Sequence, residues 1–270
     1  MLRAVVIFVL VVGFPSQYSL RAAEPFGMQV FIGGMEGYHT FRIPSLIVTK
    51  RGTLLAFCEG RKTDRLDHGD IDLVLKRSGD RGGTWSAQQL VYEEGGTEKI
   101  TIGNPCPVVD DATGTIWLAL CRNNDDVLVT SSNDDGLTWA EPLDITDDVK
   151  KPDWTWVATG PGVGIQLKRG KYQGRLVVPC DHNTQINGEQ VMFSHVFYSD
   201  DGGGSWKLGG SLDRHTDECQ VVELSDGSLM LNMRNYWGAT AGGQKGEGCG
   251  LWPSAATEAT RGPSCLLTKR

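Results

Sequence analysis

Three short stretches of the chain share one pattern: SGDRGGTW at residues 78–85, SNDDGLTW at residues 132–139 and SDDGGGSW at residues 199–206. Each fits S-x-D-x-G-x-[TS]-W. The aspartate is expected to accept hydrogen bonds from nearby backbone, and the glycine to adopt a φ value that a Cβ atom disfavours. We name these stretches the turn boxes, because this combination predicts a tight turn. The closing tryptophan is expected to fill the apolar layer of the surrounding sheet.

Working outward, each turn box follows a strand-like run (DIDLVLKRS, DDVLVTSS or MFSHVFYS) and precedes another. The boxes start 54 and then 67 residues apart. Repeats of roughly 40–50 residues or somewhat more are typical of propeller blades, each a four-stranded sheet. We therefore interpret each box as a structural hairpin turn within a blade and assign it no catalytic role. No segment beyond about ten residues shows a helical period, so an all-β propeller is predicted.

Composition and charge limit the function. The chain has 270 residues, of which 40% are apolar, which is enough for a sizeable core. Its formal net charge of -7 argues against a nucleic-acid partner, which needs a basic face. The seven cysteines form no C-x-x-C pair, and an odd number leaves at least one unpaired within the chain. We expect buried free thiols, no disulfide framework, no metal site and no cofactor.

Both ends of the chain differ from its middle. An apolar run at residues 4–14 follows Arg3 and is too short for a bilayer, which needs about 20 residues. We interpret residues 1–23 as a signal peptide and expect a secreted or periplasmic protein; a buried first strand is the alternative. Residues 24–238 form the predicted propeller region. Residues 239–270 show no strand pattern and no fourth box, so we interpret them as an aberrant, disordered tail produced by a frameshift or premature end, with a natural disordered terminus as the alternative.

Charged residues in strand-like contexts are candidates for a site. In YHTFRIPSL (residues 38–46), strand alternation puts Arg42 on the face opposite Phe41 and Ile43. Arg42 then either projects into a central cavity or is a surface charge. The stretch CEGRKTDRLDHGDIDLVLKRS places Asp67 in a polar loop, where it either faces the central channel or is simply solvated.

A second pair of charges lies near the C-terminal end of the propeller region. Glu218 begins one strand and Arg234 ends the next, across a turn at residues 225–227. Both side chains are therefore expected at the same end of one hairpin. This arrangement makes a site credible, although charges at hairpin ends are often only surface residues.

Several motifs together resemble one known family. The segment FRIP followed by several turn boxes is similar to the bacterial and animal sialidase (neuraminidase) family, over residues 38–238. The segments E-G-R, D-H-G-D-I-D-L-V-L-K-R-S, G-N-P-C-P and D-E-C-Q-V-V-E-L also resemble sialidase segments, in the family's order. The resemblance implies a six-bladed β-propeller, of which this chain holds about four blades. It also implies an exo-α-sialidase that hydrolyses terminal α-linked sialic acids of glycoconjugates with retention. Sialylated glycans are then its partners, with no nucleic acid and no membrane span after signal removal.

The resemblance also assigns roles to residues. Arg42 and Arg234 correspond to two arginines of a triad that binds the substrate carboxylate, and Asp67 to the acid/base. Asp67 is preferred over Asp64 because of its distance from the K-R-S segment. Glu218 corresponds to the residue that activates a tyrosine nucleophile. Three further residues correspond to the pocket wall: Glu59, Arg61 and Asn104.

These residue types suit the chemistry. The substrate carries a carboxylate on its anomeric carbon, so a neutral tyrosine avoids the repulsion that a carboxylate nucleophile would meet. The planar arginine fork pairs with a carboxylate through two hydrogen bonds. An aspartic acid protonates the leaving oxygen and then activates water.

The family's third arginine and its tyrosine belong to later blades, and the chain departs from the pattern there. Tyr236 lies two residues after Arg234 at the same strand end, and Arg261 has no matching motif around it. We therefore expect this chain to lack the nucleophile and the third arginine. An inactive sialic-acid or glycan-binding module, or an inert truncated product, remains the alternative function.

Overall fold

The computed structural model describes residues 27–235. Fifteen strands and one short helix occur in this part of the chain. They are β1 (Thr40–Val48), β2 (Leu54–Arg61), β3 (Ile71–Ser78), β4 (Gln89–Tyr92), β5 (Ile102–Val109), β6 (Ile116–Arg122), β7 (Asp126–Ser132), β8 (Leu143–Asp144), α1 (Thr146–Val149), β9 (Trp154–Thr159), β10 (Ile165–Gln166), β11 (Leu176–Ile186), β12 (Glu189–Ser199), β13 (Lys207–Arg214), β14 (Thr216–Glu223) and β15 (Leu229–Asn235).

The strands form four sheets, each built from consecutive strands. The first sheet has the order β1-β2-β3-β4 and the second β5-β6-β7-β8. The third has the order β10-β11-β12-β13, with β9 also paired to β11, and β14 pairs with β15. Neighbouring strands within these sheets run antiparallel, as hairpin connections require. The propeller prediction is confirmed: residues 27–235 contain three blades and a two-stranded part of a fourth, and they do not close into a ring.

The turn boxes lie where the sequence predicted them, between the third and fourth strands of the first three blades. In the first box, Asp80 accepts hydrogen bonds from the Thr84 N–H at 2.8 Å and the Thr84 hydroxyl at 2.7 Å. The same pattern recurs at Asp134 with Thr138 and at Asp201 with Ser205. These bonds lower the pKa of each of the three aspartates to about 2, because they stabilise the ionised carboxylate.

Two of the box tryptophans also join neighbouring blades. The ring of Trp139 meets Phe57 of the first blade edge-on, with 5.6 Å between ring centroids. Trp206 meets Trp117 of the second blade in the same way at 6.1 Å. We predicted that these rings would fill the layer of their own blade; the contacts show that they also bind the blade before it.

The core lies mainly between blades. One apolar cluster joins the first and second sheets around Phe57 and Leu118, and another joins the second and third around Val129 and Phe197. A third joins the third and fourth sheets and includes Val177. Burial of apolar surface between sheets therefore holds the blades in sequence order.

The predicted signal peptide (residues 1–23) and the predicted tail (residues 239–270) lie outside the described residues. Within residues 27–235, no helix has the length and apolar character needed to cross a membrane. The five cysteines in this range are buried and free. They are Cys58, Cys106, Cys121, Cys180 and Cys219.

Candidate active site

A cavity of about 460 Å³ opens where strands from all four sheets meet. All seven residues that the sequence analysis named line it: Arg42, Glu59, Arg61, Asp67, Asn104, Glu218 and Arg234. They come from the first, second and fourth sheets and from the loop before β3. The third sheet and its flanking loops supply further lining residues that the sequence analysis did not name, including Trp156, Asp181, Asn183 and Pro161.

Arg42 reaches the cavity from a distorted part of β1. The pairing of β1 with β2 shifts register between Arg42 and Ser45, and Ile43 has a φ of 53°. Ile43, which alternation places on the face opposite Arg42, is also among the residues that line the cavity. The bulge breaks the two-residue period of the strand. A left-handed φ at a β-branched residue is strained, and such strain is common at functional sites.

Asp67 forms ion pairs with two arginines. Its Oδ1 lies 2.7 Å from Nη1 of Arg42 and 2.9 Å from Nη1 of Arg61. The Asp67 side chain is still 61% exposed, so it remains accessible from the cavity. Asp64, the alternative acid, instead accepts a hydrogen bond from the Leu66 N–H at 2.8 Å and is not among the residues that line the cavity.

Glu59 and Arg61 form a buried ion pair beneath this loop. Both side chains are 3% exposed, and Glu59 Oε2 accepts from Arg61 Nη2 at 2.6 Å and Nε at 3.0 Å. Arg61 Nη1 also donates to the carbonyl oxygens of Arg65 and Leu66, which fixes the loop that carries Asp67. Burial raises the pKa of Glu59, and the Arg61 charge opposes that rise.

The same glutamate positions the second blade. Glu59 Oε1 accepts from the backbone N–H of Asn104 at 3.0 Å, and Asn104 has a φ of 56°. A Cβ atom at Gly103 would lie 2.4 Å from Glu59 Oε1, so only glycine leaves room for this contact. Glu59 and Arg61 therefore hold the cavity wall together, and Asn104 lines it.

Arg234 and Glu218 face each other across the β14–β15 hairpin, as the sequence predicted. Arg234 Nη1 lies 3.0 Å from Glu218 Oε2 and 3.5 Å from Asp217 Oδ2. Arg234 is 53% exposed and Glu218 38% exposed, so both remain accessible. Arg42 is similarly exposed at 45%, which leaves two guanidinium groups facing one cavity.

Sequence reasoning missed the acids and the aromatic ring supplied by β9, β11 and β14. Asp181 and Asp217 are buried in the cavity wall, and the Trp156 indole N–H donates to Asp181 Oδ1 at 3.2 Å. Trp156 also meets His68 edge-on at 5.6 Å, next to the Asp67 loop. The sequence did contain one signal for these acids. Asp181 directly follows the apolar run RLVVPC, and an acid in a buried strand needs a partner.

The arrangement suits an anionic ligand. Two accessible arginines can form paired hydrogen bonds with a carboxylate, and Asp67 beside them can exchange a proton with a bound group. Within residues 27–235, no group of three or more His, Cys, Asp or Glu side chains is arranged to hold a metal ion.

Comparison with known proteins identifies the family of the chain. Residues 52–252 match the model of a family described as BNR repeat-like domain. The chain is 32% identical over 240 residues to a sialidase of Bacteroides fragilis, covering 79% of this chain and 43% of that protein. It is 36% identical over 223 residues to a sialidase of Micromonospora viridifaciens, covering 76% of this chain and 34% of that protein.

A solved structure shows the same relation. A Hadza microbial sialidase has a TM-score of 0.68 to this chain and 29% identity, covering 75% of this chain and 43% of that one. The chain thus spans less than half the length of each of these three proteins.

Proposed function

Because the chain belongs to the sialidase family, we propose that its function is that of an exo-α-sialidase, the hydrolysis of terminal α-linked sialic acids of glycoconjugates with retention. Sialylated glycans are the proposed partners. Export through a signal peptide at residues 1–23, giving a secreted or periplasmic protein, is part of the same proposal.

The observation that supports this proposal most directly is the meeting of Arg42 and Arg234. They come from the first and fourth sheets, some 190 residues apart in sequence, and face one cavity. A sialic acid carries a carboxylate, and the guanidinium fork is the side-chain group that pairs best with a carboxylate. Each arginine is held in place by an acid, Asp67 for Arg42 and Glu218 for Arg234.

Asp67 is the proposed acid/base. In the resting site its Oδ1 accepts from Arg42 and Arg61. A substrate carboxylate competes for Arg42 and leaves Asp67 held by Arg61, beside the leaving oxygen. Asp67 takes up a proton from solvent when the substrate binds, donates it to that oxygen and later removes one from the attacking water.

Glu218 is the proposed base toward a tyrosine nucleophile. Among the residues that the structure describes, no tyrosine lines the cavity. Tyr38 does pair with an acid, donating to Asp72 at 2.5 Å, but it lies outside the lining and burial raises its pKa. The second candidate function is binding of sialic acid or a related glycan without turnover. An inert truncated product is the remaining alternative.

The first experiment measures fluorophore release from a sialoside reporter by the purified chain and by Asp67→Asn. Turnover that Asp67→Asn loses supports the enzyme. No turnover together with saturable binding of N-acetylneuraminic acid supports the binding module. A folded chain that shows neither activity nor binding contradicts both functions.

Arg42→Ala tests the carboxylate contact. We expect it to weaken binding of N-acetylneuraminic acid by roughly 10- to 100-fold, because one charge-assisted pair is lost. The matched control is Arg51→Ala, which removes an exposed arginine that does not line the cavity. Calorimetric titration measures both. Equal affinities of the two variants would contradict the assignment of Arg42.

A further inference from the structure

Two acids in the cavity wall have no role in the proposed reaction. Asp181 lies on β11 and Asp217 on β14, and their side chains meet in the wall between the third and fourth blades. Asp181 is 1% exposed and Asp217 4% exposed. Burying a charge is costly unless it is paired and hydrogen-bonded, so two acids in contact require an explanation.

The donors around this pair are few. Asp181 Oδ1 accepts from the Trp156 indole, whereas Asp181 Oδ2 is buried with no hydrogen-bond donor among the residues that the structure describes. An ionised carboxylate can only accept hydrogen bonds. Two ionised carboxylates in contact would repel each other and leave Oδ2 unsatisfied, whereas a proton between them supplies the missing donor.

The charges nearby point the same way. Among the residues that the structure describes, one guanidinium is paired with Asp217 and Glu218, that of Arg234, which lies 3.5 Å from Asp217 and 3.0 Å from Glu218, and Asp181 lies beside Asp217. The other two arginines of the cavity, Arg42 and Arg61, are in ion pairs with Asp67 and Glu59. Three carboxylates beside one guanidinium leave an excess negative charge that a proton relieves.

Hydrogen bonds hold the backbone on both sides of Asp217 in place. The Ser194 N–H donates to the Thr216 hydroxyl at 2.8 Å, and the Ser194 hydroxyl donates to the Asp217 carbonyl. The Cys219 N–H donates to the Gly160 carbonyl at 3.1 Å, and its thiol to the Cys180 carbonyl at 3.2 Å. These bonds fix β14 against β11 and β12 on both sides of Asp217.

We propose that Asp181 and Asp217 share one proton, held on Asp181, and that this pair positions Arg234 and Glu218 to receive an anionic ligand. The protonated Asp181 donates to Asp217, and Asp217 stays ionised beside Arg234. Asp181 is thus a positioning residue that acts through Asp217. The identity of the ligand in this inference rests on the proposed function, whereas the shared proton is inferred independently of it.

The pKa directions agree with this assignment. Burial, and then the charge of Asp217, raise the pKa of Asp181 well above its usual range. Burial and Glu218 also raise the pKa of Asp217, but Arg234 and the hydrogen bond with Asp181 oppose that rise. The proton therefore belongs on Asp181. Other ionisable neighbours of Asp181 among the described residues are the buried thiols of Cys121, Cys180 and Cys219, whose pKa values burial raises, so they stay neutral.

A consequence for binding follows. When the pH rises enough to remove the shared proton, the wall gains a negative charge close to Arg234. That charge repels an anionic ligand and competes with it for the guanidinium, so affinity falls. An asparagine at position 181 keeps a neutral donor toward Asp217 and cannot ionise. The affinity of that variant for an anionic ligand should therefore not fall as the pH rises.

The test compares wild type, Asp181→Asn and Asp181→Ala in calorimetric titrations with N-acetylneuraminic acid from about pH 5 to about pH 9. We expect the wild type to lose roughly tenfold or more in affinity across this range, and Asp181→Asn to vary by about threefold or less. Asp181→Ala should bind weakly throughout, and Asp111→Asn, an exposed acid outside the cavity, should follow the wild type. Equal pH profiles for wild type and Asp181→Asn would overturn the proposal.

Infrared difference spectroscopy tests the proton without any ligand. We expect a carbonyl band of a protonated carboxylic acid in the wild type at neutral pH, absent from Asp181→Asn. A wild type that binds N-acetylneuraminic acid but lacks this band would overturn the shared proton alone. A wild type that shows the band but binds no N-acetylneuraminic acid would contradict the proposed function and leave the shared proton supported.

Discussion

At the scale of single residues, the buried pair of Glu59 and Arg61 supports the whole cavity wall. Glu59→Gln removes the buried counter-charge and leaves the Arg61 guanidinium paired only with the exposed carboxylate of Asp67. We expect this change to lower the free energy of unfolding by about 3 kcal/mol, because breaking a buried pair strands its partner. Urea denaturation measures it.

The matched control is Asp111→Asn, which removes an acid from the exposed ion pair with Lys168. Exposed pairs contribute little, so we expect a change below about 0.5 kcal/mol. Similar losses in the two variants would show that Glu59 does not hold the wall.

The candidate site residues were identified from segments that resemble the family and occur in its order along the chain. Folding brings these segments together. Resemblance named seven residues, and all seven line one cavity, although their roles remain proposals. The irregularity of β1 between Arg42 and Ser45 was not predicted, because a bulge is not visible in an alternating pattern. Asp181 and Asp217 could not be paired from sequence, since their contact depends on how two blades pack.

At the scale of elements, the turn boxes join each blade to the preceding one. Gly203 in the third box has a φ of 96°, and a Cβ atom there would lie 2.1 Å from the Trp117 ring of the second blade. Gly203→Ala therefore forces the two blades apart. We expect it to lower the free energy of unfolding by about 3 kcal/mol or more.

The control for this prediction is Gly170→Ala. Gly170 also has a left-handed φ, of 70°, but a Cβ atom there meets nothing within 4 Å. It should cost about 1 kcal/mol, from backbone strain alone. Thermal unfolding separates the two cases, and equal shifts would mean that strain rather than the contact with Trp117 decides stability.

The boxes were the most predictable elements, because their turn chemistry is local. Asp80 and Thr84 lie four residues apart, so sequence alone specifies their hydrogen bonds. The contact of Trp206 with Trp117 joins residues about 90 positions apart and was not predicted. Local chemistry predicts turns, whereas packing between blades depends on the assembled fold.

At the scale of the whole molecule, a buried histidine pair should make stability depend on pH. Nδ1 of His182 lies 3.0 Å from Nδ1 of His195, and His182 stacks on Trp154. Burial, and then the charge of Lys151, lower the pKa of His182 to about 3. Burial and His182 lower the pKa of His195 well below its usual range. Both rings are therefore neutral in the folded state.

The sign of this effect follows from the lowered pKa values. Below about pH 6.5 the unfolded chain binds protons at both histidines and the folded chain does not, so stability falls as pH falls. Each histidine contributes a loss of about 1.4 kcal/mol per pH unit in that range. Asp181, with its raised pKa, contributes the opposite slope, so a variant comparison is needed.

His182→Phe keeps an aromatic ring on Trp154 and cannot titrate. We expect its free energy of unfolding to depend less on pH than that of the wild type between about pH 6.5 and pH 5. The difference between the two slopes should correspond to about one bound proton. Urea titrations at several pH values measure both slopes, with His68→Gln as the control. Parallel slopes for wild type and His182→Phe would contradict a neutral buried pair.

The blade count was predictable from the length of the propeller region. At about 50 residues per blade, residues 24–238 were expected to hold about four blades, and residues 27–235 contain three and part of a fourth. The parallel bridge between Ile71 and Thr101, which joins the first two sheets, has no signature in either segment. Fold class was thus specified by repeated local chemistry, and the arrangement of blades around the cavity by long-range contacts.

The order of the strands also has a consequence for synthesis. Each blade is one unbroken stretch of chain, so the first, ending at Tyr92, is complete before the second begins. Translation at roughly 5–20 residues per second leaves seconds per blade, whereas a hairpin forms in about 1–10 microseconds. Trp139 packs against Phe57 and Trp206 against Trp117, so each contacts a residue of the preceding blade that was synthesised earlier. The nascent chain can thus fold from its N-terminal side, because each new blade packs against a blade that has already formed.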